Sequence, residues 1–278
     1  MSSPLYYASR RRCIYCGSCG HIEGQSRDPL TKEHIVPFFL NGDIVIPFAS
    51  CAQCANVTKR VEGECARYMY GDACIRLNLN TRNPNNRPKY KNVGAIQRDR
   101  KIIRSLQVED MIAHIPTFDL PVAGFLQGVP PNASWEGMTL ATISLGARSD
   151  YAWNNAQGIS HTFTTEFRPA AHARLLAKIA HCLCIQEFGA DGFEHWLPPY
   201  ILGERSELAY LIGGSDRSHD ADTNSFYSLQ WEIAEHYDGY YVVLVNIRLF
   251  SQFGGPWATV VAGKARQNLV RERIRQSE

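Results

Sequence analysis

Residues 31–47, TKEHIVPFFLNGDIVIP, decide the fold of the first third of the chain because they lie between two Cys-x-x-Cys pairs. The pairs are Cys13 with Cys16 and Cys51 with Cys54. In each pair a backbone turn aims two thiolates at one tetrahedral centre, so the four sulfurs predict a structural zinc. A zinc ion whose four positions are all filled by protein has no open site for substrate. It holds the fold, and catalysis must lie elsewhere.

The cysteine count supports reduced thiols rather than a disulfide scaffold. The chain has nine cysteines, an odd number, and no signal-like or membrane-spanning stretch, so we expect a cytoplasmic protein without a membrane segment. Cys19 and His21 are near enough to replace one zinc ligand, so the identity of the first pair stays open. Cys182 and Cys184 lie in an apolar helical run and are expected to be buried free thiols.

The residues around the second cysteine pair predict a strand followed by a helix. Residues 43–48 are strand-like, and a helix is expected to begin near Cys51. Apolar residues then recur at steps of three and four, which places them on one helix face. These residues are Cys54, Val57, Val61, Cys65 and Met69.

The order Cys-x-x-Cys, then EHIVP, then Cys-x-x-Cys at the head of a helix resembles the HNH, or ββα-metal, nucleases, particularly the zinc-stapled, treble-clef-like members. The resemblance covers about residues 13–70. It implies that His34 is the general base that takes a proton from water. It also implies a catalytic magnesium or other divalent cation, to which Glu33 would offer an oxygen.

The sequence departs from the family pattern at the head of the helix. An asparagine or histidine directly follows the last cysteine in stapled members, but Ala55 stands there and Asn56 comes next. One residue turns a helix by about 100 degrees, so Asn56 points away unless the helix start is irregular. Glu62 lies further along on the face of Ala55 and is a rival ligand for the catalytic ion. The family's middle asparagine has no clear counterpart, since Asn41 lies in the connecting loop.

Basic residues concentrate in the first hundred positions, although the formal net charge is only +2. They cluster at residues 10–12, 59–60 and 82–104. Several cations in one region neutralise phosphates without reading sequence, so we expect a nucleic-acid partner, with double-stranded DNA as the expected form. The candidate phosphate-binding residues are Lys59, Arg60, Arg82, Arg87 and Lys89.

The chain is expected to be α+β, in three parts. Residues 1–80 form the zinc-stapled ββα module, residues 81–104 a basic linker, and residues 105–278 a larger α+β domain with a mainly antiparallel sheet. In the last part we expect a helix between Pro169 and Gly189, a hairpin turning at Asp238 and Gly239, a strand over residues 257–261 and a charged terminal helix. Its role is left open: it could serve in recognition, in sensing or in dimerisation, and the last of these would give a homodimer.

These expectations describe a metal-dependent endonuclease that hydrolyses nucleic-acid phosphodiester bonds. Two alternatives stay open. One is a non-catalytic zinc-ribbon protein, a degenerate HNH module that only binds nucleic acid. The other is an enzyme whose activity resides in the second part, with the zinc unit merely structural.

Overall fold

The computed structural model describes residues 12–18, 30–131, 134–146, 159–162, 166–217 and 225–270, without the side chains of residues 159–162. Helices alternate with several small sheets, and every strand pair in this part of the chain is antiparallel. The α+β class and the antiparallel character of the sheets are thereby confirmed. None of the helices described has both the length and the apolar composition that a membrane crossing requires.

The first unit is an antiparallel strand pair followed by a helix. Strand β1 (Thr31–His34) pairs with β2 (Val45–Ser50), and His34 lies opposite Val45. Helix α1 (Ala52–Glu64) begins directly after Cys51. The strand and the helix expected here are confirmed, and together they bring the second cysteine pair to the head of α1.

The predicted apolar face of α1 is the face that enters the core. Val57 is half-buried, whereas the other four residues of that face, Cys54, Val61, Cys65 and Met69, are buried. Cys65 and Met69 lie beyond the end of α1, in a single π-helical turn, Cys65–Met69. A short helix α2 (Gly71–Arg76) follows. The wider π turn lets the chain change direction while Cys65 and Met69 stay on the core side.

The segment expected as a basic linker, residues 81–104, contains ordered strands. β3 (Tyr90–Gln97) and β4 (Arg100–Gln107) form a hairpin. β7 (Ile159–Thr162) adds a third strand beside β3. This corrects the linker prediction over residues 90–104; Val93 and Ala95 alternate with exposed positions along β3 and are buried, the pattern of a half-buried strand.

The second half is built on one larger sheet. β10 (Tyr227–Glu235) and β11 (Tyr241–Leu249) form the predicted hairpin around Asp238 and Gly239, and Gly239 has the positive φ (78°) that this turn requires. The sheet continues through β12 (Trp257–Ala265), which pairs with β8 (Phe193–His195) and β9 (Ile212–Gly214). A separate pair joins β5 (Ala113–Asp119) to β6 (Thr139–Leu145).

Helix α3 (Pro169–Phe188) is the central element of the fold. It begins at the predicted proline and ends just before Gly189, which caps it, and it packs on both α1 and β12. Cys182 and Cys184 on this helix are fully buried free thiols, as expected. The helices α4 (Pro198–Leu202) and α5 (Leu208–Leu211) are short. The expected charged terminal helix lies mainly outside the described residues.

One hydrophobic core runs through the part of the chain that the structure describes. It contains Leu40 and Cys54 of the first unit together with Leu176 of α3 and Val260 of β12. The expected boundary near residue 105 is therefore not a break in packing, since α3 lies against α1 of the first unit.

Candidate functional site

The four cysteines of the two predicted pairs converge. Their sulfur atoms all lie within 4.8 Å of one another, and the Sγ atoms of Cys16 and Cys51 are 3.8 Å apart. Tetrahedral zinc with bonds of about 2.3 Å places its sulfurs about 3.8 Å apart, so the cluster fits a zinc ion. Cys13 and Cys54 are buried whereas Cys16 is exposed. The alternative ligands Cys19 and His21 lie outside the described residues.

Local backbone geometry explains how the sulfurs meet. The amide of Gly17 donates to the Cys13 carbonyl, and the positive φ of Gly17 (70°) closes this first knuckle. The second knuckle is the first turn of α1, where the Ala55 amide donates to the Cys51 carbonyl. Burial raises the pKa of Cys16, but hydrogen bonds from Ser18 outweigh it and lower that pKa to about 7. A thiolate is therefore available for metal at neutral pH.

Beside this cluster, a cavity of about 520 Å³ opens between β1 and α1. Its walls combine β1, one face of α1 and the segment that follows α2. The residues that line it are Thr31, Lys32, Glu33, His34, Phe38, Ala55, Thr58, Lys59, Glu62, Thr81 and Arg82.

His34 lies in this cavity and is half-buried, with its ring centroid 5.7 Å from that of Phe38. Burial lowers the pKa of His34, and the charges of Lys178 and Lys32 lower it further. The imidazole is therefore neutral near pH 7 and can accept a proton, the state that a general base requires.

The Glu33 and Glu62 carboxylates both pair with a lysine from the second half of the chain. The Lys178 ammonium lies 3.0 Å from Glu33 Oε1 and 3.0 Å from Glu62 Oε1. It also donates to the main-chain carbonyl of His34, and the Ile35 carbonyl is 3.4 Å away. Lys178 is only 1% exposed. Burial lowers its pKa, but Glu62 and Glu33 outweigh burial and raise that pKa above its ordinary value.

This ion pair decides whether the predicted ligands fit a catalytic divalent cation. Each carboxylate already gives an oxygen to the Lys178 ammonium, which lies where an ion bridging Glu33 and Glu62 would lie. Two cations cannot share that position, because their repulsion in a buried site is large. The residues present do not fit a divalent ion held between the two glutamates.

The two rivals on the helix are separated in space. Glu62 lines the His34 cavity, whereas Asn56 is exposed and lines a different depression beside Arg60 and Arg67. The regular start of α1 explains the difference, since Asn56 follows Ala55 by one residue and turns away.

Asn41 of the connecting loop makes a hydrogen bond that holds the main chain, and not one that orients His34. Its Oδ1 accepts a hydrogen bond from the Asn80 amide at 2.9 Å, which holds the segment leading to Arg82 against the loop. Arg82 thereby lines the cavity.

The predicted phosphate-binding residues divide into two groups. Lys59 and Arg82 line the His34 cavity. The other three lie elsewhere: Arg60 in the neighbouring depression, Arg87 with its guanidinium donating to the Leu79 carbonyl, and Lys89 exposed ahead of β3. Of these five predicted residues, only Lys59 and Arg82 place positive charge around the candidate base.

Sequence reasoning did not identify Lys178 as part of this site. The available signal was a charged residue on a stripe of α3, with His181 one turn later, in a helix that is otherwise strongly apolar. A lysine in such a helix needs a charged partner. The pattern could not say which one.

Comparisons of the chain with family models, with curated proteins and with solved structures found no match. The resemblance of residues 13–70 to HNH nucleases therefore remains an interpretation of the motif.

Proposed function

We propose that this chain is a zinc-stapled, HNH-like endonuclease that hydrolyses phosphodiester bonds of nucleic acid, with double-stranded DNA as substrate and His34 as the general base. The observation that carries the proposal is the neutral, half-buried imidazole of His34 in an open cavity flanked by Lys59 and Arg82. A base that is unprotonated near pH 7 beside two cations suits an anionic substrate that water must attack.

The proposed reaction uses few groups. His34 takes a proton from a water molecule as its oxygen attacks phosphorus, and the bond from phosphorus to the leaving oxygen breaks. The leaving oxygen takes a proton from solvent. Lys59 and Arg82 attract the phosphate and offset the negative charge that grows on its oxygens. Zinc on the four thiolates would supply no step; it would hold the first knuckle against the head of α1.

The test is nicking of supercoiled plasmid by the full chain and by His34→Ala. Loss of a general base lowers the rate by about 100-fold or more. His114→Ala is the matched control, because His114 is half-buried on β5 and does not line the cavity. The rate of the unaltered protein should rise with pH through a pKa below the ordinary histidine value of about 6.5 and level off near neutrality. Equal cleavage by His34→Ala would refute the assignment of the base.

A second candidate function is a zinc-containing protein that binds nucleic acid without cleaving it. The observation in its favour is the ion pair at Lys178, which occupies both carboxylates expected at a catalytic metal: Glu33, implied by the family resemblance, and Glu62, its rival on the helix. Fluorescence anisotropy with labelled duplex separates the two functions. If the protein binds duplex, and binding depends on Lys59 and Arg82, but it cleaves neither with magnesium or manganese added nor with a chelator added, then it only binds nucleic acid.

A further inference from the structure

We infer that Lys178 is the resident cation of the His34 site, and that the site therefore does not take up a divalent metal ion. The inference concerns the site of the proposed function. Metal binding is measured without substrate, however, so the inference and the proposed function can be refuted separately.

The geometry around Lys178 is that of a completed cation site. An ammonium has three N–H donors. Here it faces Glu33 Oε1 and Glu62 Oε1, each at 3.0 Å, and donates to the His34 carbonyl. Three oxygens from β1 and α1 therefore satisfy all three donors. The Ile35 carbonyl at 3.4 Å adds a fourth oxygen nearby.

A metal ion would have to displace this ammonium from its oxygens. Magnesium binds oxygen at about 2.1 Å, so an ion shared by Glu33 Oε1 and Glu62 Oε1 would compete directly with the Lys178 ammonium for those two oxygens. Lys178 is tethered to α3 and 1% exposed, with no solvent into which its charge can withdraw. Leaving a buried ammonium without partners is strongly unfavourable. The covalent tether thus makes the bound ammonium harder to replace than a diffusing ion.

The buried position also defines what Lys178 does in the proposed reaction. It does not line the cavity, so it cannot contact a phosphate there. It instead holds the side chains of Glu33 and Glu62 and the main-chain carbonyl of His34 in place. Lys178 is therefore a positioning residue. The positive charge that a metal would bring to the phosphate comes from Lys59 and Arg82, which do line the cavity.

The test is a manganese titration of the zinc-loaded full chain, followed by electron paramagnetic resonance of free manganese. We expect no manganese binding that depends on Glu62 up to about 1 mM in the unaltered protein. In Lys178→Met the two carboxylates are released. We then expect one manganese site, with an affinity at least about ten-fold above the limit of about 1 mM set by the unaltered protein. Adding Glu33→Gln to that variant should abolish the site. Lys264→Met, at an exposed position, should behave as the unaltered protein.

Manganese that binds the unaltered protein and is weakened by Glu62→Gln would overturn the inference. If Lys178→Met does not fold, this comparison of the unaltered protein with Glu62→Gln still decides. Plasmid nicking in metal-depleted buffer, with zinc content measured afterwards, gives an independent readout. We expect added magnesium to change the rate by less than about two-fold. A strict need for magnesium overturns the inference and leaves His34 as the base. Equal cleavage by His34→Ala instead refutes the proposed function, independently of the result of the manganese titration.

Discussion

Lys178→Met removes the positive charge between Glu33 and Glu62 while keeping a side chain of similar length. Breaking a buried ion pair by removing one partner lowers the free energy of unfolding by about 3–5 kcal/mol. The Glu62 side chain is 20% exposed and can regain some hydration, whereas Glu33 is 8% exposed and cannot. We therefore expect a loss near the lower end, about 3 kcal/mol at neutral pH.

The loss should depend on pH in a defined direction. Without Lys178 the two ionised carboxylates repel each other in the folded variant. Neutralising them at low pH removes this repulsion and stabilises the folded variant. The difference in stability between the variant and the unaltered protein should thus be smaller near pH 4 than at about pH 7.5.

Urea unfolding, followed by circular dichroism at both pH values, measures these differences. Lys178→Met combined with Glu33→Gln and Glu62→Gln removes all three charges and should recover most of the loss at neutral pH. Lys264→Met, exposed over the Tyr240 ring, is the matched control and should change stability by no more than about 1 kcal/mol. A loss below about 1 kcal/mol in Lys178→Met, or one that does not vary with pH, would refute the reasoning.

The remaining predictions concern the metal, the loop and a buried histidine. We expect metal analysis of the unaltered protein to give one zinc per chain, and changing Cys51 and Cys54 together to Ser should eliminate it and abolish cooperative unfolding. Gly42→Ala would place a Cβ 1.8 Å from a backbone carbonyl of the loop after β1 and should lower stability by about 1–3 kcal/mol, whereas Gly63→Ala in α1 should raise it by about 0.5–1 kcal/mol. Burial lowers the pKa of His172 to about 4. Unfolding should therefore become easier as pH falls from about 6.5 towards 4, and His172→Gln should flatten that dependence in urea midpoints at pH 7 and 5.

Local patterns were sufficient for the elements that form the site. The spacing of Cys51 and Cys54 ahead of an apolar stripe predicted α1 and its orientation, and the thiolate pairs predicted the sulfur cluster. These features depend on residues a few positions apart, whose relative placement a helix or a tight turn determines. For the same reason the hairpin at Asp238 and Gly239 could be predicted from its turn residues.

The hairpin of β3 and β4 could not be predicted in this way. Its turn residues, Arg98 and Asp99, both have positive φ, 47° and 60°, without a glycine or an asparagine to signal the turn. Non-glycine residues adopt this conformation only when the surrounding structure imposes it. Here the pairing of β3 with β7, more than sixty positions later, contributes that constraint.

The ion pair at Lys178 depends on contacts that periodicity cannot reveal, since 144 positions separate Lys178 from His34. The same helix reaches the segment of the first cysteine pair at two other places: His181 Nε2 lies 2.8 Å from the Ile14 carbonyl, and Cys182 Sγ lies 3.4 Å from the Tyr15 hydroxyl. The first knuckle and the strand of the candidate base therefore both rest on α3. A chain cut near residue 104 would lose this support and expose apolar surface that α3 covers. Unlike a module that carries all its own supports, this site exists only when the second half of the chain is folded against it.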